Sequence, residues 1–286
     1  MYKFLLIIVI CLIILLFNFE IKHYENYANY EKNNKVPEIV KLSENYKKNN
    51  EVPKIIWSYW DTEDVPEIVK LSIKTWEKNS PQYKINFMNK KNIEDIISLP
   101  ENWKTLKPYR QSDIIRLHLL EKYGGVWMDS SIILLEDIDK FISKNDITFF
   151  ITPRSSFSNP VFENWFISAP PDNKIIKMWV NETLTALSNR EEYIRKSSDY
   201  NKKIIGNYSY LICHLALKNI YEKDKKLFSR IKKYKSSTTA FYYQIHNPDL
   251  KYLFKNKFDK SKLMIKLTGS NRKKIDLQYF NKSLIE

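Results

Sequence analysis

The sequence predicts an α/β fold, a mostly parallel sheet flanked by helices, preceded by one N-terminal transmembrane helix. Three observations point there. From Pro53 onward, strand-like and helix-like segments alternate, as in a parallel sheet covered by helices. Phe4 to Phe17 is an unbroken apolar run. The chain also holds only 4 glycines, two of them adjacent at Gly124 and Gly125, where roughly 7% usage would give about 20. A sequence that avoids glycine and then pairs two needs backbone freedom at that point.

The apolar run, extended by Phe19 and Ile21, is a short but usable span with Lys3 and Lys22 able to snorkel at its ends. A cleaved signal peptide is the alternative reading of so short a run, and the lack of a small-x-small cleavage site from Asn18 to Tyr30 argues against it. Residues 1–21 therefore read as a membrane anchor and 22–51 as a polar stem. Lys22, Lys32 and Lys35 follow the span, and the positive-inside count leans toward a cytosolic soluble domain. Within the stem, Val36 to Ser43 repeats the octapeptide of Val65 to Ser72. One duplication is too few for a solenoid, so the first copy reads as a duplicated helix.

Residues 52–286, in a chain 43% hydrophobic, are long enough to bury one full-sized core. The expected elements are strands at Lys54 to Trp60, Tyr83 to Met88, Val126 to Leu135, Ile147 to Thr152 and Trp165 to Ala169. Between and after them, helices are expected at Pro66 to Lys78, Asn92 to Ser98, Tyr109 to Lys122, Lys174 to Leu187 and Tyr208 to Tyr221. The last forty residues carry little pattern. Of the two cysteines, Cys11 lies in the apolar run and Cys213 beyond it, so no disulfide staples the soluble domain.

The formal charge of +14 favours anionic partners. The excess is mostly Lys and accompanies abundant Asn and Ile, a compositional habit. No basic run is interleaved with aromatics and no zinc-finger spacing occurs, so nucleic acid is not an expected partner. Phosphate-binding P-loop and Gly-x-Ser-x-Gly patterns are absent as well.

The stretch Gln111 to Ser131 concentrates the chemistry. Ser112 suits a helix N-cap, Asp113 the positive end of the helix dipole, and Gly124 a left-handed helix end. Asp113 and Arg116, three apart on a helix otherwise mostly apolar, are a charged pair that must find partners. In the following strand, period two places Trp127, Asp129, Ser131 and Ile133 on one face. Asp129, with the Ser131 oxygen two residues later, is a way for a sheet to present a divalent cation such as Mg²⁺ or Mn²⁺, whose remaining ligands are phosphate oxygens and water.

Ser112 to Ser131 resembles the capsular polysaccharide synthesis proteins and related sugar transferases with a DXD motif, through its Ser-Asp, Arg, Tyr-Gly-Gly and Asp pattern. Val52 to Trp60 looks like that family's first strand, Ser72 to Trp76 with Pro81 and Tyr83 like its next helix and strand, and Asn164 to Ala169 like a later segment. The resemblance implies a GT-A type, Rossmann-like fold and metal-assisted transfer of a sugar from a nucleotide-diphosphate donor, with retention of anomeric configuration. It implies that Asp113 and Arg116 contact the nucleotide or sugar, with Trp57, Tyr59, Tyr123, Gly124 and Gly125 also at the donor. Asp129 would be the first acid of the metal motif. Ser131 stands in place of the second, as a hydroxyl often does in related capsular proteins, and attracts a cation less than a carboxylate would. His246 is the candidate third ligand, whereas His118 and His214 fall within helical patterns and read as structural.

The expected acceptor is a glycan or lipid-linked hydroxyl. The expected location is a membrane, either the bacterial inner membrane or, for a viral or eukaryotic chain, a Golgi-like one. The alternative function is a membrane-anchored carbohydrate-binding pseudoenzyme in which Ser131 marks lost metal chemistry.

Overall fold

The computed structural model describes residues 38–285 apart from 248, 256 and 281–283. The expected membrane span and the stem up to residue 37 lie outside the described residues. No described helix is long and apolar enough to cross a membrane. The chain divides into two units, Met1–Glu44 and Asn45–Glu286. Both octapeptide copies enter helices, α1 (Glu38–Asn49) and α2 (Glu67–Asn79), each beginning at the glutamate that follows the proline.

A run of β-branched and aromatic residues makes β1 (Ile55–Tyr59), every residue of which is buried. It pairs in parallel with β2 (Lys84–Met88) on one side and, after α3 (Pro108–Tyr123), with β3 (Gly125–Met128) on the other. The strands β4 (Ile132–Leu134), β5 (Thr148–Ile151) and β6 (Phe162–Ala169) follow. Next come the helices α4 (Lys174–Ser188), α5 (Arg190–Lys196), α6 (Asp199–Ile205) and α7 (Ile212–Lys223). The chain then forms β7 (Lys232–Lys235), α8 (Tyr242–His246), β8 (Met264–Lys266) and α9 (Gly269–Arg272). A six-stranded sheet has the order β2-β1-β3-β6-β5-β7, and β4 pairs with β8 in a separate two-stranded sheet. The larger sheet is mixed: β6 runs antiparallel to β3 and β5, while the other three pairings are parallel.

From β1 the chain turns to β2 on one side and later to β3 on the other. Such a reversal opens a crevice at the carboxyl ends of the strands, the usual ligand position in open α/β sheets. Alternation along the strands divides the core. Ile56, Val126, Met128 and Phe150 join Trp76 of α2 on one face. On the other, Trp57 meets Tyr123 of α3, and Phe149 meets Trp179 of α4.

Two expected elements differ from the structure. The strand expected over Val126 to Leu135 is two strands in two sheets, broken at Asp129–Ser131. Trp76 donates its indole N–H to the Ile132 carbonyl at 2.7 Å, and the Leu134 amide donates to Thr75 Oγ1 at 2.9 Å, so α2 draws β4 out of line. The uniform two-residue alternation across Asp129 and Ser131 therefore does not hold. The helix expected over Asn92 to Ser98 is a single 3-10 turn, Ile93–Asp95, with Ile93 buried.

The glycine pair does what its rarity suggested. Gly124 has φ 64° and Gly125 φ 98°. A Cβ on Gly124 would lie 2.5 Å from the Pro171 nitrogen, and one on Gly125 2.8 Å from the Ile55 carbonyl. The pair ends α3 and lets β3 start directly against β1.

Candidate functional site

At the carboxyl ends of β1 and β3 lies a cavity of about 640 Å³. Tyr59 and Trp60 line it from the end of β1, Asp113 and Arg116 from α3, and Asp129 and Ser131 from the break after β3. Glu163 and Asn164 enter from β6, Tyr210 and His214 from around the start of α7, and Lys266 and Arg272 from the C-terminal segment.

The helix α3 begins with Pro108 at its first turn, so Ser112 is an interior residue and not the expected cap. Its hydroxyl instead accepts from Arg116 Nη2 at 2.8 Å. Arg116 Nε donates to the Ser112 carbonyl at 3.0 Å, Nη1 donates to the Asn164 carbonyl, and the guanidinium lies 4.9 Å over the Trp127 ring. From this fixed position Arg116 is 3.5 Å from both Asp113 and Asp129. Asp113 also accepts from Asn164 Nδ2 at 2.8 Å. Burial still pushes the Asp113 carboxyl above the usual range, with Arg116, His214 and Arg110 opposing.

Asp129 behaves oppositely. Burial would raise it, but Lys266 and Arg116 outweigh that and hold the carboxyl below the usual range. Asp129 Oδ2 accepts from Lys266 Nζ at 2.8 Å, and Oδ1 from Trp127 Nε1 at 3.0 Å. Lys266 arrives through sheet register, since β8 pairs antiparallel with β4 and sets it opposite Ile132, the residue after Ser131. Its ammonium pKa is lowered by burial, with Asp129 opposing. The Ser131 hydroxyl donates to the Leu267 carbonyl at 2.7 Å and accepts from Arg272 Nη1 at 3.1 Å and Lys266 Nζ at 3.4 Å.

These partners decide how well the residues fit a divalent cation. Such an ion needs several oxygen ligands, of which the protein commonly supplies one or two carboxylates. Here one carboxylate already holds an ammonium, and the neighbouring hydroxyl faces an ammonium and a guanidinium. A doubly charged ion on Asp129 would have to displace the Lys266 ammonium from that carboxylate and would meet a second cation, Arg272, at Ser131. His246 is exposed on α8, its ring 4.4 Å from that of Tyr242, and does not line the cavity. Among the described residues no three His, Cys, Asp or Glu side chains group to hold a metal. The set Asp129, Ser131 and His246 does not fit a metal as arranged.

Of the residues expected at the donor, Tyr59, Asp113 and Arg116 line the cavity. Trp57, Tyr123, Gly124 and Gly125 stand outside its lining. Trp57 Nε1 donates to the Gly124 carbonyl at 2.7 Å and braces the α3–β3 junction, while Tyr123 Oη donates to the Ile96 carbonyl at 2.7 Å and ties the end of α3 to the turn after β2. Sequence reasoning missed Lys266 and Arg272, and it assigned His214 to packing although it lines the cavity 3.7 Å from Glu163. The available signal for Lys266 was a single cation inside the apolar run Met264 to Leu267.

The chain belongs to the capsular polysaccharide synthesis protein family, whose pattern it matches over residues 17–281. Among solved structures it is similar to a chain described as PaToxG glycosyltransferase, with 17% identity and a TM-score of 0.41 over 86% of this chain and 94% of that one. No curated protein matches it.

Proposed function

We propose that the protein is a glycosyltransferase of GT-A type that moves a sugar from a nucleotide-diphosphate donor to a glycan or lipid-linked hydroxyl in polysaccharide or glycoconjugate synthesis. The observation that carries the reading is convergence: Asp113, Arg116, Asp129 and Ser131 meet in one cavity at the crevice where the chain reverses direction across the sheet. Family membership supports it. On this reading the apolar run Phe4 to Phe17 anchors the protein in a membrane by a single pass.

In the reaction, the acceptor oxygen forms a bond to the anomeric carbon. The bond from that carbon to the β-phosphate oxygen breaks, and its electron pair leaves with the nucleoside diphosphate. With retention of configuration, the acceptor proton passes to the departing phosphate oxygen on the same face. Asp113, held by Asn164 and Arg116, faces the sugar, while Arg116 fixes the distance between Asp113 and Asp129. The expectation of Mn²⁺ or Mg²⁺ on Asp129, Ser131 and His246 enters no step, because the donor set does not fit it.

The test incubates the full chain in mild detergent with a panel of nucleotide sugars and follows release of nucleoside diphosphate with and without glycan acceptors. Turnover of one donor, lost in Asp113→Asn and Asp129→Asn, is the expected result. Binding without turnover across the panel would assign the protein to the carbohydrate-binding alternative.

A further inference from the structure

Each nitrogen of Arg116 already donates to Ser112 or Asn164, and the guanidinium also lies 3.5 Å from both Asp113 and Asp129. Two other cations at the cavity are differently placed. Arg272, on the short helix α9, donates only to Ser131 Oγ among the described residues, and its guanidinium carbon lies 5.3 Å from the centre of the Trp60 ring. Lys266 donates to Asp129 and Ser131. Together they leave several N–H groups for a ligand, both line the cavity, and both converge on the Ser131 hydroxyl from the C-terminal segment. Two convergent cations with unused donors suit a ligand of two or more negative charges and several acceptor oxygens.

We infer that Lys266 and Arg272 form the diphosphate subsite of the donor cavity and supply, as fixed side-chain charge, the leaving-group stabilisation that a divalent ion would otherwise give. The inference rests on the transferase reading and extends it by naming the residues that take the diphosphate and by making donor binding independent of metal. Asp129 then has a positioning role. It holds the Lys266 ammonium at the end of β3, while the Ser131 hydroxyl, oriented by the Leu267 carbonyl, turns its lone pairs toward both cations. When the bond to the anomeric carbon breaks, negative charge grows on the β-phosphate oxygen, and cations placed beforehand stabilise it without reorganising. Trp60 supports the Arg272 guanidinium through the cation–π contact.

The experiment titrates the full chain with UDP, GDP, ADP and CDP, and with the matching nucleosides, after chelation and again with added Mn²⁺. Lys266→Gln, Arg272→Gln and Lys266→Arg are compared with the parent. The expected result is that one nucleoside diphosphate binds equally well in chelator and in Mn²⁺. Each Gln variant should lose about tenfold or more in affinity for it, and Lys266→Arg should retain part of that affinity. The preference for the diphosphate over its nucleoside should shrink in the Gln variants, a change that general loosening of the fold does not produce. Binding that requires Mn²⁺ and is unchanged in Lys266→Gln overturns the inference while leaving the transferase reading intact. Failure of every nucleoside diphosphate and every nucleotide sugar to bind under either condition overturns both.

Discussion

The cavity has two walls built on different principles. The sheet-side wall, from α3, β3 and β6, holds Asp113, Arg116, Asn164 and Asp129 in a web where each charge is engaged by another part of the wall. The wall from the C-terminal segment rests on the two strands β4 and β8 and the four-residue α9, and its cations reach forward with donors to spare. Charges locked into a web set distances but have little left to give a ligand. Lys266 is held in place by the buried strand β8 yet, with Arg272, keeps donors for a ligand. The site thus separates geometry from ligand capture and assigns each to its own part of the chain.

The largest expected effect tests the sheet-side wall. Arg116→Met leaves Asp113 and Asp129 without their shared cation in a buried setting and should destabilise by about 3–5 kcal/mol, read by urea unfolding. Arg272→Gln, on the other wall, should change stability by less than about 1 kcal/mol. Equal losses in the two variants would show that both walls are structural and erase the distinction. Asp129→Asn is intermediate, because it strands the Lys266 ammonium, whose side chain is 9% exposed, and should cost about 3 kcal/mol. Most of that loss should return in the double variant Asp129→Asn with Lys266→Met. A double variant no better than the single one would mean that the ammonium is not what Asp129 stabilises.

Gly125→Ala probes the junction behind the sheet-side wall. The new Cβ would meet the Ile55 carbonyl at 2.8 Å with φ at 98°, so a loss of about 2 kcal/mol is expected in thermal unfolding. Unchanged stability would mean that β3 can move away from β1. This junction was legible in the sequence because rare glycines announce unusual backbone. The strands β1, β2 and β5 and the helices α2, α3 and α4 were legible through periodicity. The break at Asp129–Ser131 was not, since Ile132 to Leu134 has the composition of a continuing strand and only Trp76 and Thr75 of α2 divert it. Lys266 and Arg272 were hidden for a related reason. Their place in the site comes from pairing with β4 across more than 130 residues, and local pattern carries no such information. The motif acids and Arg116 were legible because one helix and one turn suffice to bring them together.

The smallest expected effect separates the two acids of the sheet-side wall by sign. Asp129 has a folded pKa below its ordinary value of about 3.9, so its contribution to stability is present above that value and is lost as pH falls through the lower folded value. Asp113 has a raised folded pKa, so ionising it costs stability as pH climbs from about 4 through that raised value. Unfolding free energy measured from acid to neutral pH should therefore respond in opposite ways. Asp113→Asn should gain on the parent as pH rises. In Lys266→Met the acid limb below about pH 4 should flatten, because Asp129 loses the cation that lowers its pKa. If Asp113→Asn instead loses stability relative to the parent at neutral pH, then the ionised carboxylate is worth more to Arg116 and Asn164 than its burial costs. The sheet-side wall would in that case be stabilised by the same charges that shape it.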